Sequence, residues 1–253
     1  MSTPAPLTAL ITGGTRRVGL AIARAFAERP GSTVIVTTRD PSSGEASQAR
    51  RTLEATGCKV WLERFDPNSD EADDLARRAA QRVPALDALV LNASSYGTSE
   101  LDQLSPESLR MHMQVNAFGP VLLVAALRKL LEQSRQPGGA GVVAMADMHI
   151  LGRPRKNLLA YSMSKAALVE AVRTLARELA PRIRVNAIAP GVVEWPDTGS
   201  ESQSEFQRAY LSRVPLERAG TPEDAAAAVR WLALEARYTT GEIVRVDGGR
   251  WLA

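Results

Sequence analysis

A single cysteine, Cys58, stands in the 253 residues, which excludes an intrachain disulfide framework and a cysteine-built metal cluster. Histidine is nearly as scarce. His112 and His149 are the only two and lie far apart, so no metal-ligand set can be assembled and no metal is expected. No apolar run approaches the roughly 20 residues that cross a bilayer. The opening Met1-Ser2-Thr3-Pro4-Ala5-Pro6 lacks the charged and apolar regions of a signal peptide. A cytoplasmic protein without a membrane partner is therefore expected. Blocks of like charge are missing too: the net charge is +3 and the pI near 9.3, but the arginines are dispersed among acidic residues, so no nucleic-acid partner is expected. The milder reading of the basic excess is that some arginines hold a phosphorylated cofactor or an anionic substrate.

What is present is ordinary for a folded α/β protein. Hydrophobic residues are 45% and charged residues 23% of the chain, and one domain over residues 1–253 is expected. Strand-like runs recur with helical segments between them: Leu7–Thr12, Thr33–Thr38, Lys59–Arg64, Ala88–Asn92, Gly141–Ala146, Ile183–Ile188 and Ile243–Val246. Such alternation predicts a Rossmann-like, doubly wound, seven-stranded parallel sheet with helices on both faces. Val34-Ile35-Val36 and Gly141-Val142-Val143-Ala144 are nearly all apolar, as strands covered on both sides must be. The clearest helical period runs from Leu159 to Leu179, with Leu168, Val172, Leu175 and Leu179 on one stripe. The longest irregular stretch, from Pro190 to about Glu201, lies beyond a strand, where such sheets place a substrate lid.

The chain is organised around Thr12-Gly13-Gly14-Thr15-Arg16-Arg17-Val18-Gly19, between an apolar strand and the amphipathic segment Leu20–Glu28. A strand, a glycine turn and a helix in that order present free N–H groups and a positive dipole end to a pyrophosphate. Gly13 suits the tight turn and Gly19 the close approach of helix to strand. Arg17 stands where a middle glycine is usual. About twenty residues on, where an acidic residue would bind the ribose hydroxyls of NAD, the sequence is Thr37-Thr38-Arg39. A guanidinium there, near Arg16, suits the 2′-phosphate of NADP; the alternative is a solvated Arg39 with Asp40 serving the ribose.

Tyr161-Ser162-Met163-Ser164-Lys165 puts a phenol and an ammonium one helical turn apart. The neighbouring positive charge is expected to lower the phenol's pKa and make it a usable proton donor. Together with the turn at 12–19, Asn92-Ala93, Asn116 and Pro190-Gly191, the chain resembles the short-chain dehydrogenase/reductases from Leu7 to Asp247-Gly248-Gly249. The resemblance implies that Asn116, Tyr161 and Lys165 are catalytic, that Lys165 also holds the nicotinamide ribose, that Asp66 touches the adenine and that Asn92 supports the cofactor. It further implies NADPH contacts from Gly13, Thr15, Arg16, Arg17, Val18, Gly19, Thr38, Arg39, Ala93, Ser94, Pro190, Gly191 and Val193. A homotetramer follows from it as well, with helices around 105–132 and 159–179 at an interface.

Two departures narrow the resemblance. The position that normally holds a ketone-binding serine carries Asp147, although its interval to Tyr161 is one residue longer than usual. A carboxylate beside a developing alkoxide is repulsive, which argues against simple ketone reduction. Arg17, Asp147 and Asn92-Ala93-Ser94-Ser95-Tyr96 together look like the pteridine reductases. Carried over, a pterin or folate would be bound by Arg17, Ser94, Tyr96, Asp147, Tyr161 and Trp195, with Tyr96 stacked on the flat ring. Three have a plainer alternative: Tyr96 covering a strand end, Trp195 packing, Arg17 binding phosphate alone; His149, two residues from Asp147, suggests a general acid, but as a loop histidine it is expected to be solvated. The rival activities are a carbonyl or 3-ketoacyl reductase and a non-catalytic NADP-binding protein.

Overall fold

The computed structural model describes residues 6–69, 71–197 and 199–253; Met1–Ala5 of the N-terminal reading and Thr198 of the loop reading lie outside these. Seven strands form one sheet: β1 (Thr8–Ile11), β2 (Thr33–Thr38), β3 (Lys59–Arg64), β4 (Ala88–Leu91), β5 (Ala140–Met145), β6 (Ile183–Pro190) and β7 (Ile243–Val246). Their order is β3-β2-β1-β4-β5-β6-β7, and every pairing is parallel. The helices are α1 (Arg17–Ala27), α2 (Gly44–Glu54), α3 (Ala72–Arg82), α4 (Pro106–Met113), α5 (Gly119–Leu131), α6 (Leu159–Leu179), α7 (Ser204–Leu211) and α8 (Pro222–Leu234).

The strands sort their side chains by the pleat. Leu10 of β1 is in register with Ile35 and Leu89, and all three enter the core shared with α3, α5 and α6. Its neighbours Ala9 and Ile11 turn the other way, with Val34, Val36 and Val90, into a second core against α1 and α8. Both faces are therefore dry, which is why these strands read as unbroken apolar runs. The chain winds outward in opposite directions from β1 and β4. Their carboxyl ends leave the crevice in which such sheets bind ligands.

Several boundaries differ from the sequence expectation. β6 runs on to Pro190, whose neighbour Gly191 still donates to Val246 O at 3.0 Å. Helix α1 starts at Arg17 rather than Leu20. The helical segment Pro106–Leu131 is continuous over 26 residues. By length and composition alone it could cross a membrane, but polar and charged residues interrupt it and half of its most apolar stretch is buried within the fold.

Candidate active site

The turn after β1 is built around close backbone contacts. Gly13 has φ +62°, and its N–H donates to Thr37 Oγ1 at 3.3 Å. A Cβ on Gly19 would lie 2.1 Å from Gly13 O and 2.7 Å from Asn92 Nδ2, so no side chain fits there. Asn92 braces the turn from β4, its amide donating to Thr12 O at 3.0 Å and Gly13 O at 3.1 Å. Thr12 Oγ1 in return accepts the N–H groups of Asn92 and Ala93, both at 2.9 Å. Thr15 is turned away, donating to Glu45 Oε1 at 3.0 Å. No side chain caps the N-terminus of α1, which leaves its first amides for an anion. Turn, brace and uncapped helix fit a dinucleotide pyrophosphate, with Gly13, Arg16, Val18 and Gly19 around it.

Arg17 takes φ +50°, the left-handed conformation that the usual glycine would adopt. Its guanidinium does not reach back to the turn. It pairs with Glu194 at 3.0 Å and Asp197 at 3.8 Å and donates to Trp195 O at 2.9 Å, tying the turn to the irregular loop after β6. Beyond β2, Arg39 is exposed and Thr38 half-buried. Asp40 is committed locally: Oδ1 accepts from Ser42 N at 2.9 Å and Ser42 Oγ at 2.5 Å, bonds that hold its carboxyl below the usual value. That geometry weighs against Asp40 as a ribose ligand. Asp66, past β3, uses Oδ1 to accept from Asn68 N at 3.0 Å. Pro190, Gly191 and Val193 lie at the end of β6, on the opposite side of the crevice.

Asp147 and Tyr161 meet directly, the phenol donating to Asp147 Oδ2 at 2.8 Å. The longer interval between them is taken up by a 3₁₀ turn, Met148–Leu151, which Asp147 caps by accepting His149 N at 2.7 Å. Burial first, and the Asp147 carboxylate next, push the Tyr161 phenol well above its ordinary pKa. The expected lowering by the ammonium is thus not seen: Lys165 Nζ is 5.9 Å from the ring centroid and donates instead to Met145 O at 2.7 Å. Burial lowers Lys165 to about 8, with Asp147 opposing. His149, expected to be solvated, is half-buried with Nδ1 3.0 Å from Arg153 O.

Asn116 lies in a π-helical turn, Gln114–Phe118, that widens the join of α4 to α5; such turns recur at functional sites. Its Oδ1 accepts from Ser94 Oγ at 3.0 Å and Ser95 N at 2.8 Å. Its Nδ2 donates to Ser95 O at 2.9 Å and Ser164 Oγ at 3.0 Å. Ser164 passes the link to α6 by donating to Tyr161 O at 2.7 Å. Asn116 therefore ties the Ser94–Tyr96 loop to the helix that carries the phenol.

Tyr96 packs edge-on against Tyr161, centroids 5.0 Å apart, and is half exposed. Trp195 takes no part in an aromatic pair with it: its ring meets Phe206 at 6.4 Å and Tyr210 at 5.5 Å, the packing alternative. No sequence motif marks Arg155 and Glu201, yet both touch Tyr96. Nothing in their spacing links them, because the contact joins loops 46 residues apart. Thr12, Ser95 and Ser164 lie inside the quoted motifs, and only the fold shows what each one holds.

A parallel doubly wound sheet with a braced glycine turn facing a tyrosine–lysine helix defines a nucleotide-dependent oxidoreductase. The family described as enoyl-(acyl carrier protein) reductase matches residues 13–250; the chain belongs to this family, within the short-chain dehydrogenase/reductases. It is 34% identical over 254 residues to the 3-oxoacyl-[acyl-carrier-protein] reductase FabG of Aquifex aeolicus, covering 95% of each chain. A short-chain dehydrogenase from Burkholderia cenocepacia, solved with NADP, superposes with TM-score 0.87 at 28% identity, covering 98% of this chain and 99% of that one. FolM alternative dihydrofolate reductase 1 from Brucella canis, also with NADP, gives 0.85 at 31% identity, covering 100% and 97%.

Proposed function

We propose that this enzyme is an NADPH-dependent reductase of dihydropterins, of the dihydrobiopterin, dihydromonapterin or dihydrofolate type, acting as a homotetramer in the cytoplasm. The observation that carries the reading is the 2.8 Å bond from Tyr161 Oη to Asp147 Oδ2. A ketone reductase needs a donor where this chain has an acceptor. The Brucella relative, whose name is that of a dihydrofolate reductase, supports the same choice.

NADPH, when bound, supplies a hydride to the carbon of a ring C=N bond. The chain's own residues do the rest. Gly13, Gly19 and the amides of α1 would hold the pyrophosphate, and Arg39 with Arg16 would bind the 2′-phosphate. Lys165, now on Met145 O, would hold the nicotinamide ribose. The Tyr161–Asp147 pair shares one proton, held on the phenol by its raised pKa, and passes it to the ring nitrogen, so that C=N becomes CH–NH. Asn116 keeps Tyr161 and the Ser94–Tyr96 loop in one frame, and Tyr96 gives the flat ring a face to lie on.

The second reading, a 3-oxoacyl reductase, is favoured by the Aquifex relative. Asp147→Ser separates the two. With the proton-sharing carboxyl gone, dihydropterin turnover should fall by about 10²–10⁴-fold, while ketone reduction should appear or rise. Unchanged dihydropterin turnover in that variant would remove the basis of the proposal.

A further inference from the structure

A basic composition suggests arginines free to receive an anionic substrate, but the catalytic cleft is built otherwise. Three of the cations around it, Arg17, Arg155 and Lys165, are each already engaged within the fold. Arg17 is held by Glu194 and Asp197. Lys165 is buried on a backbone carbonyl. Arg155 is paired with Glu201.

The Arg155–Glu201 pair lies against Tyr96, the ring on which the proposed substrate would rest. Tyr96 Oη donates to Glu201 Oε1 at 2.9 Å and accepts from Arg155 Nη1 at 3.2 Å, closing a ring of three groups. The same Tyr96 ring lies against Tyr161, so this ring of groups is one aromatic width from the reacting phenol. The two charged side chains are only 32% and 19% exposed. In such a setting the ions are poorly hydrated, and removing one partner leaves the other seeking a new counter-ion.

We infer that Glu201 is a specificity-determining residue: by holding the Arg155 charge it makes the cleft accept substrates with uncharged tails and turn away carboxylated ones. A tail carboxylate can gain Arg155 only by displacing a partner already fixed by the fold. The inference rests on the dihydropterin reading only for its first pair of substrates.

The test compares kcat/KM for dihydrobiopterin, whose tail is uncharged, and dihydrofolate, whose tail carries two carboxylates, in the unaltered protein, Glu201→Gln and Glu201→Gln/Arg155→Gln. The dihydrofolate to dihydrobiopterin ratio should rise at least about tenfold in Glu201→Gln, carried by KM. It should fall back in the double variant, and shrink in about 1 M salt, where charges are screened beyond about 3 Å. The same ratio in all three proteins overturns the inference. So does a gain that survives loss of Arg155. If neither pterin is reduced, the dihydropterin reading fails, and the ratio of acetoacetate to ethyl acetoacetate then tests Glu201 in the same three proteins. A protein that turns over none of the four compounds overturns both.

Discussion

The proposed chemistry turns on two titrating side chains, and burial moves them in opposite directions. Tyr161 is pushed up and so keeps its proton throughout the neutral range. Lys165 is brought down to about 8, so its ammonium is present below that pH and is lost as pH rises through it. If, as proposed, Lys165 must be charged to hold the ribose, it limits the alkaline side. We expect kcat/KM for NADPH to fall as pH rises through about 8, since that ratio reports ionisations of the free enzyme. A flat profile up to pH about 10, where an unperturbed lysine titrates, would show that the Lys165 charge is not used. At this scale much was legible in the sequence: the Tyr161–Lys165 spacing and Asn116 stand where the motifs put them. The direction of the Tyr161 shift was not, because it depends on Asp147 lying 2.8 Å away and on how deeply α6 is sunk.

At the scale of elements, the strands and α6 were readable because each carries its burial in its own residues. The limits of β2, β3 and β7 match the sequence expectation, and so do those of α6. Ends set by other segments were less visible. β6 is drawn out to Pro190 by pairing with β7, and the loop after it is held by Arg17 from the far side of the crevice. The same is true of Arg184 on β6, which no pattern marks. Buried at 6% exposure, it donates to Leu232 O, Ala233 O and Ala236 O at 2.7, 2.6 and 3.0 Å and to Gly138 O at 3.1 Å. It thereby satisfies carbonyls that the C-terminus of α8 would leave open. Arg184→Leu should destabilise the protein by about 3 kcal/mol or more, since bonds from a charged donor contribute about 1.5–3 kcal/mol each and the stranded carbonyls add a penalty. A urea midpoint unchanged in that variant would show that the cap is dispensable.

For the whole molecule, the exposed apolar residues have a pattern. Phe118 at the start of α5, Leu122 on α5, and Leu159 and Met163 on α6, are each between about two-fifths and one-half exposed, on the helices expected at a subunit interface. The proposed homotetramer would cover them. Phe118→Glu places a charge on that face and should yield a smaller species than the unaltered protein in sedimentation equilibrium; identical masses would exclude this face from the interface. The cleft itself is assembled from parts distant in the chain: the turn at 12–19, the Ser94–Tyr96 loop, Asp147, α6 and the loop after β6. Their union around the Tyr161–Asp147 bond is what the dihydropterin proposal rests on. The most direct test is the initial rate of NADPH oxidation by the unaltered enzyme against dihydrobiopterin, dihydrofolate and a series of ketones and 3-oxoacyl esters. Dihydrobiopterin should be reduced with a kcat/KM at least about a hundredfold above that for any ketone, and a diaminopteridine antifolate should inhibit. Faster reduction of the ketones, untouched by the antifolate, would contradict the account.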